Sequence, residues 1–367
     1  MSVEFLAGNL EKYIPLLLKS LPSHSQVPVL SNILLSATKT GFFLSVTDLE
    51  FGIRISIPAK IIEEGAITVP GREFLDTISM LTKEKVVLQE EKESLLLTSS
   101  STKISFQTIA QEEFPNIFQE RGEKIYEFKR SEMEKIFPQL SFAVANDDTR
   151  PELTGILFAQ QDDETHFVAT DGFRLSVVSL KNSKILPAGK KIIFPVRIIN
   201  EAMSLKEAKT VTLFIDEKTN QVIFETDDII LIGRLIRGDF PNYQKVVPGD
   251  SRNSIEVDRE ELLSQVKLAS VFARESANIV YLTIKEGNVI IRSKSSGVGE
   301  QESVIEGQQD GDGGEVAFNA KFLLDLLKNL SGKNIKIQTN SSVEPVLFTD
   351  PTNASFLHVI MPVRVQE

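Results

Sequence analysis

Thr47-Asp48-Leu49-Glu50-Phe51 and Thr170-Asp171-Gly172-Phe173-Arg174 are the two stretches from which the fold can be read, because the second repeats the first 123 positions later. Asp171-Gly172 in the second stretch reads as a turn, a tight connection between elements. The same connection at a fixed offset marks a duplicated unit rather than a chance turn. Similar spacings recur around it, of 123 and then 126 residues. Glu11-Lys12-Tyr13-Ile14-Pro15 returns as Glu134-Lys135-Ile136-Phe137-Pro138, and Phe114-Pro115-Asn116-Ile117 returns as Phe240-Pro241-Asn242-Tyr243. A third copy shows through a helix entry: Ile67-Thr68-Val69-Pro70-Gly71-Arg72, Ile193-Phe194-Pro195-Val196-Arg197 and Val316-Ala317-Phe318-Asn319-Ala320-Lys321. Counted from Pro70, Pro195 and Asn319, apolar residues fall four and eight positions on (Phe74 and Ile78, Ile199 and Met203, Leu323 and Leu327), which puts them on one helical face.

A second helix opens each copy. Its apolar stripes are Leu6, Leu10, Tyr13, Leu17 and Leu21; then Met133, Ile136, Phe137 and Leu140; then Leu262, Val266, Ala269 and Ala273. Pro15 and Pro138 fall inside two of these patterns, where proline either kinks a helix or marks its first turn. Short β-type runs fill the intervals, among them 41–46, 52–57, 211–215, 221–225 and 280–284. Each copy is therefore an α+β unit of two helices and about eight strands. The expected domains are residues 1–121, 122–248 and 249–367, and the Gly-rich stretch 306–314 is expected to be a mobile loop.

The bulk numbers limit the possible functions. With 367 residues, 41% of them hydrophobic, the chain can bury a large core. It has no apolar run of the roughly 20 residues a spanning helix needs and no basic start of a secretion signal, so a cytoplasmic protein with no membrane contact is expected. The absence of cysteine removes disulfides, thiolate zinc sites and a cysteine nucleophile. The three histidines, His24, His166 and His358, fall in separate parts of the chain and give little support to a metal cluster or a catalytic triad, so no cofactor is expected. The nearest catalytic alternative is a metal-dependent hydrolase or nuclease using Asp147, Asp148 and Asp171. Against it, Asp147-Asp148-Thr149-Arg150-Pro151 reads as an exposed loop and Asp171-Gly172 as a turn. A net charge of −11 opposes wholesale coating of nucleic acid but permits a local basic face. The shared helices carry such residues in every copy, Lys12, Arg72, Lys129, Arg197 and Lys321 among them, while acids crowd elsewhere.

Ala169-Thr170-Asp171-Gly172-Phe173-Arg174-Leu175, Phe240-Pro241-Asn242-Tyr243 and the ending Val359-Ile360-Met361-Pro362-Val363-Arg364 together resemble the bacterial DNA polymerase III beta subunits, the sliding clamps, over essentially the whole chain. The resemblance implies three tandem two-helix, two-sheet clamp domains of the processivity fold, and a head-to-tail dimer closing a ring with helices lining the hole. It implies a non-catalytic clamp on double-stranded DNA. Its partners would be the replicative polymerase alpha subunit, the clamp loader, repair polymerases and mismatch repair proteins, docking through short clamp-binding peptides. Carried over position by position, the peptide pocket is Leu153, Thr170, Gly172, Phe173, Arg174, Leu175, Pro241 and Val246 with Asn319, Phe322, Val343, Val359, Met361, Pro362, Val363 and Arg364. The dimer contact is Val271, Phe272, Glu300 and Glu302 against Lys103 and Phe106 of a second copy. DNA contacts map to His24, Arg72, Asp147 and Arg150. Because Asp147 stands where the family has an amide, Arg72, Lys12, Lys129 and Arg197 become the better candidates. A monomeric adaptor with the same pocket is the remaining alternative.

Overall fold

The computed structural model describes residues 1–22, 25–118, 121–147, 149–295, 297 and 299–365. The chain forms two compact units, one of residues 1–130 with 201–235 and the other of 131–200 with 236–367.

The first unit holds two antiparallel sheets. A five-stranded sheet runs in the order Lys60–Glu63, Ser2–Leu6, Lys85–Glu91, Ser94–Thr98, Lys103–Gln107. An eight-stranded sheet joins the strands Glu123–Lys129, Thr210–Asp216, Gln221–Glu225 and Ile229–Arg234 to Phe51–Ile57, Gly41–Thr47, Asn32–Thr38 and Gly65–Pro70. The seam between repeats is the ladder of Ile229–Arg234 on Phe51–Ile57, with Ile232 opposite Gly52. The second unit is organised around one twelve-stranded sheet whose equivalent seam is Asn353–Ile360 on Arg174–Lys181, with Val359 opposite Leu175. Alternating burial along these strands, as in Asn334–Thr339, shows one face turned to a core and the other to the surface.

The helices bury the faces that their spacing marks. Phe74 and Ile78, Ile199, and Leu323 and Leu327 are all fully buried, while Met203 is only half-buried and Leu205 packs inward nearby. The repeat also holds at the level of single backbone bonds: Ala7, Arg130 and Arg259, each just before or at the start of its copy's first helix, donate N–H to Glu84 O, Lys209 O and Lys333 O. Where copies two and three have arginine at this place, its guanidinium donates to carbonyls at the end of the second helix. Arg130 reaches Ala202 O (3.2 Å) and Arg259 reaches Leu327 O (2.9 Å), adding donors at a helix terminus where carbonyls run short of them.

From this anchor, Pro15, Pro138 and Lys267 occupy the same position. Pro15 and Pro138 each sit in the first turn of a restarted helix, Ile14–Ser20 and Pro138–Ser141. Lys267 keeps its N–H, and the third copy's helix runs unbroken from Arg259 to Ala273.

Two expectations fail. Leu6 closes the strand Ser2–Leu6 and is half exposed, so the first helical stripe begins at Leu10. Most of the stretch expected to be a mobile loop, 306–314, is strand: Gly299–Asp310 continues through it and changes partners, pairing Glu306 with Asn288 and then Gly307 to Asp310 with Val257 to Ser254. Glycine signals close approach here rather than looseness, since a Cβ on Gly307 would lie 2.7 Å from Glu256 O.

Candidate functional site: an apolar cleft and two open strand edges

The turn at Thr170 begins the site. Its Oγ1 donates to Arg174 O (2.6 Å) and accepts from Gly172 N (3.1 Å), while Asp171 Oδ1 accepts from Phe173 N (2.9 Å) and Arg174 N (3.0 Å). Gly172 takes φ 91°, a left-handed value that costs glycine nothing. The first copy repeats every bond: Thr47 Oγ1 to Phe51 O, Leu49 N to Thr47 Oγ1, and Asp48 Oδ1 from Glu50 N and Phe51 N. There, however, Leu49 is held at φ 81°. The turn aims Phe173 outward, 59% exposed, and Arg174 inward, 5% exposed.

Arg174 anchors the site from beneath. Its Nε donates to Asp171 Oδ2 (3.0 Å), Nη1 to Asp325 Oδ2 (2.8 Å) and Nη2 to Phe142 O, and its Cζ lies 4.6 Å from the centre of the Phe322 ring. A guanidinium so enclosed is stable because two carboxylates, a carbonyl and an aromatic face replace its water. Behind it His358 is fully buried, its Nδ1 2.7 Å from Ser176 Oγ and its Nε2 without a hydrogen-bond partner. Burial, aided by the Arg174 charge, pushes His358 down to about 3, so the ring is neutral.

Above these residues lies a cleft of about 450 Å³ lined by Leu153, Thr170, Gly172, Phe173, Arg174, Leu175, Pro241, Asn242, Tyr243, Lys245, Val246, Pro345, Val359 and Met361. Its floor is continuous with a buried cluster that includes Leu157, Val177 and Ile193. Such a cavity is of the size that small ligands and side-chain anchors fill. All the second-copy residues expected around a pocket line it, and from the third copy Val359 and Met361 do. Met361 N donates to Phe173 O (2.8 Å), carrying the chain end along the cleft edge, and Val363 N then donates to Ala317 O (2.8 Å). Pro362 and Val363 are half-buried and Arg364 is exposed beyond that point. Phe322 lies behind the rim, 6.5 Å from the Phe173 ring, and Val343 is an exposed neighbour of Pro345. Asn319 serves the helix Ala320–Asn329 instead, capping it with a side chain that accepts from Lys321 N (2.9 Å). Asn242, Tyr243, Lys245 and Pro345 line the cleft in addition to the expected residues, the first two within the Phe240-Pro241-Asn242-Tyr243 motif.

The cationic candidates have separate surroundings. Lys12 pairs with Glu207 (3.0 Å) and Asp228 (3.4 Å), and bonds to Tyr13 and Glu207 raise its pKa, so it stays charged but committed. Arg72 is exposed and donates to Leu21 O (3.4 Å); Lys129 and Arg197 are exposed. Arg150 leans over the cleft turn, its Nη2 on Asp171 O (3.0 Å), with Asp147 3.5 Å away. The Thr149 hydroxyl holds the exposed Asp147 carboxylate below its usual pKa, with Thr149 N and Arg150 adding to the effect. His24 and Asp148 lie outside the described residues. Among the described residues no cluster of three His, Cys, Asp or Glu could hold a metal ion, and no helix is long and apolar enough to cross a membrane.

Among the described residues, each unit also has a strand edge with no ladder partner. Lys103–Gln107 is the outer strand of the five-stranded sheet, with Lys103 exposed and Phe106 buried edge-on against Phe74. Residues 299–306 of the strand Gly299–Asp310 pair on one side only, with Ser295 to Asn288. Glu300 and Glu302 lie exposed along this edge, Glu300 paired with Lys294, and Val271, Leu268 and Val304 are exposed in the same unit, with Phe272 half-buried.

Comparison with known proteins fits this arrangement. Three domain models of the DNA polymerase III beta subunit match in order, the N-terminal over residues 6–118, the central over 127–242 and the C-terminal over 244–364. A beta sliding clamp of Chlamydia muridarum is 27% identical over 362 residues, 98% of this chain and 97% of that one. One of Escherichia coli K12 is 28% identical over 342 residues, 92% of this chain and 93% of that one. The solved DNA polymerase sliding clamp of Bacillus subtilis superposes with a TM-score of 0.93 at 25% identity, covering 100% of both chains. Matched end to end in this way, the chain belongs to the DNA polymerase III beta subunit family, the beta sliding clamps.

Proposed function

We propose that two copies of the chain close head to tail into a ring that encircles duplex DNA without reading its sequence. The ring gives the replicative polymerase its processivity and docks the polymerase alpha subunit, the clamp loader, and repair and mismatch repair proteins by short peptides in the cleft. The chain is then three tandem domains, 1–121, 122–248 and 249–367, acting in the cytoplasm with no catalytic step. Asp171 is occupied by two backbone amides and Arg174, and Asp147 by Thr149 and Arg150, so neither carboxylate is poised as a base.

The observation that carries this reading is a seam made twice within the chain and left open at both ends. Arg54 lies opposite Ile230 in the first unit and Val177 opposite Leu357 in the second. Their counterpart in the third copy is Glu302, since Ser45, Val168 and Arg292 are the matching hairpin partners of Arg54, Val177 and Glu302. Ile230 and Leu357 correspond to Lys103, through their own hairpin partners Glu225, Thr349 and Thr98. Repeating the seam between two copies therefore sets Lys103 opposite Glu302 and Ser105 opposite Glu300. This register joins unlike charges and turns two open edges into ladder, an interface that closes a ring if its rotation permits.

Topology then replaces affinity. Phosphates need only brief contacts with cations such as Arg72, Lys129 and Arg197, while the net charge of −11 discourages tight wrapping. An apolar cleft with a methionine and a few polar anchors suits extended peptides from several partners. The test is retention: chain loaded on circular duplex should stay bound and be lost on linearisation. Equal loss before and after cutting would sink the tether.

A further inference from the structure

The first unit contains the cleft a second time, filled. The matched seams make Gly52 the counterpart of Leu175 and Ile232 the counterpart of Val359, both of which line the open cleft. Even the edge bond recurs, Arg234 N to Glu50 O standing for Met361 N to Phe173 O. In the open cleft Pro241, Asn242 and Tyr243 of the Phe240-Pro241-Asn242-Tyr243 segment form a wall, with Tyr243 buried in it. In the first unit the matching segment instead lies across the floor. A Cβ on Gly52 would collide with Ile117 Cδ1 and stand 3.0 Å from Ile232 Cγ2 and 3.1 Å from Phe118 Cζ. The Phe118 ring also lies over Arg54, whose guanidinium carbon is 4.4 Å from its centre, at the position that Val177, in the buried cluster under the open cleft, holds in the second unit.

We infer that residues 115–118 are a resident plug: the chain carries a second peptide site, on the strand Phe51–Ile57, closed by its own Ile117 and Phe118. The missing side chain at Gly52 makes room for Ile117, and Arg54 holds the aromatic ring by its face. With the plug removed, this surface takes a peptide bearing an aliphatic residue followed by an aromatic one, the chemistry of its present occupant. One chain therefore offers a single open dock although its repeats supply two such floors. The inference rests on the reading of the open cleft as a docking site, and the experiment separates the two.

The probe is a fluorescein-labelled peptide with the sequence of residues 113–118, Glu-Phe-Pro-Asn-Ile-Phe, titrated into the full chain. Binding to the wild-type chain reads the open cleft. The Ile117→Ala, Phe118→Ala chain should take up one more peptide per chain, and adding Arg54→Ala should weaken that increment about threefold, the factor expected for one cation–π contact. No increment in a chain that still melts cooperatively overturns the plug, as does an increment insensitive to Arg54→Ala, whatever the open cleft does. Should that double variant fail to fold, Gly52→Ala decides: its Cβ should displace Ile117 and speed chymotryptic cleavage after Phe118 several-fold relative to other sites. Unchanged cleavage there refutes the inference.

Discussion

Replacing His358 by phenylalanine should flatten the acid side of the stability profile, by an amount the structure fixes. The ring is fully buried beside Phe142 (5.4 Å between centres) and Phe356 (6.4 Å), with Ser176 as its hydrogen-bond partner and Arg174 as the nearby charge that disfavours protonation. Its folded pKa of about 3 lies below the ordinary 6.5, so between these values the unfolded chain binds a proton that the folded chain refuses. Stability from this group is complete above about pH 6.5 and falls as pH drops. At about pH 5 the unfolded state gains RT ln(1 + 10^1.5), roughly 2 kcal/mol, and the folded value hardly matters because it lies well below the assay pH. His166, also lowered chiefly by burial, contributes in the same direction to both proteins and cancels in the comparison. The assay is denaturant unfolding of wild type and His358→Phe at about pH 7.5 and about pH 5, followed by a probe of the second unit. The wild type should lose about 2 kcal/mol more than the variant between the two. Equal losses would mean that His358 is protonated in the folded chain and that the cleft has a second cation behind it.

Further outcomes test the other parts. Arg174→Ala strands the Asp171 and Asp325 carboxylates and should cost about 3 kcal/mol of the second unit's stability in the same unfolding assay, while Asp325→Asn, at a partly exposed group, should cost less. Met361→Glu puts a charge at the cleft edge where backbone pairing needs no side chain, so peptide affinity measured by calorimetry should fall at least tenfold with unchanged melting. Lys103→Glu sets like charges against Glu302 and should shift sedimentation from twice 40.9 kDa towards the monomer; adding Glu302→Lys should restore the dimer, and no recovery would reject the register. Gly307→Val forces side-chain atoms onto Glu256 O and should lower the second unit's melting temperature by several degrees in calorimetry, whereas a mobile loop would tolerate it.

Much of the architecture was legible because repetition compares the sequence with itself. A Thr-Asp turn returning after 123 residues, with the same hydrogen bonds in both places, leaves little freedom for the strands it joins. Helical faces were equally plain, as apolar spacing is a direct image of burial. Boundaries were weaker: Leu6 fits the helical stripe, but its backbone pairs with Lys85, a partner that local spacing does not reveal. The glycine-rich stretch misled for a related reason, since sequence does not say whether a glycine supplies freedom or clearance.

The sequence alone determined that this protein is built of three like units, that two helices in each bury a defined stripe, and that the copies diverge at Gly172-Phe173-Arg174 and at the Met361 ending. Only the tertiary structure decided what that divergence does. Position by position the two seams are the same, but a leucine at 175 and a glycine at 52 give opposite results: an open floor in one unit, and a floor covered by Ile117 and Phe118 in the other. That difference depends on the volume left between segments far apart in the chain. Pattern and period describe one segment at a time, whereas a cleft is the space that several segments leave unfilled.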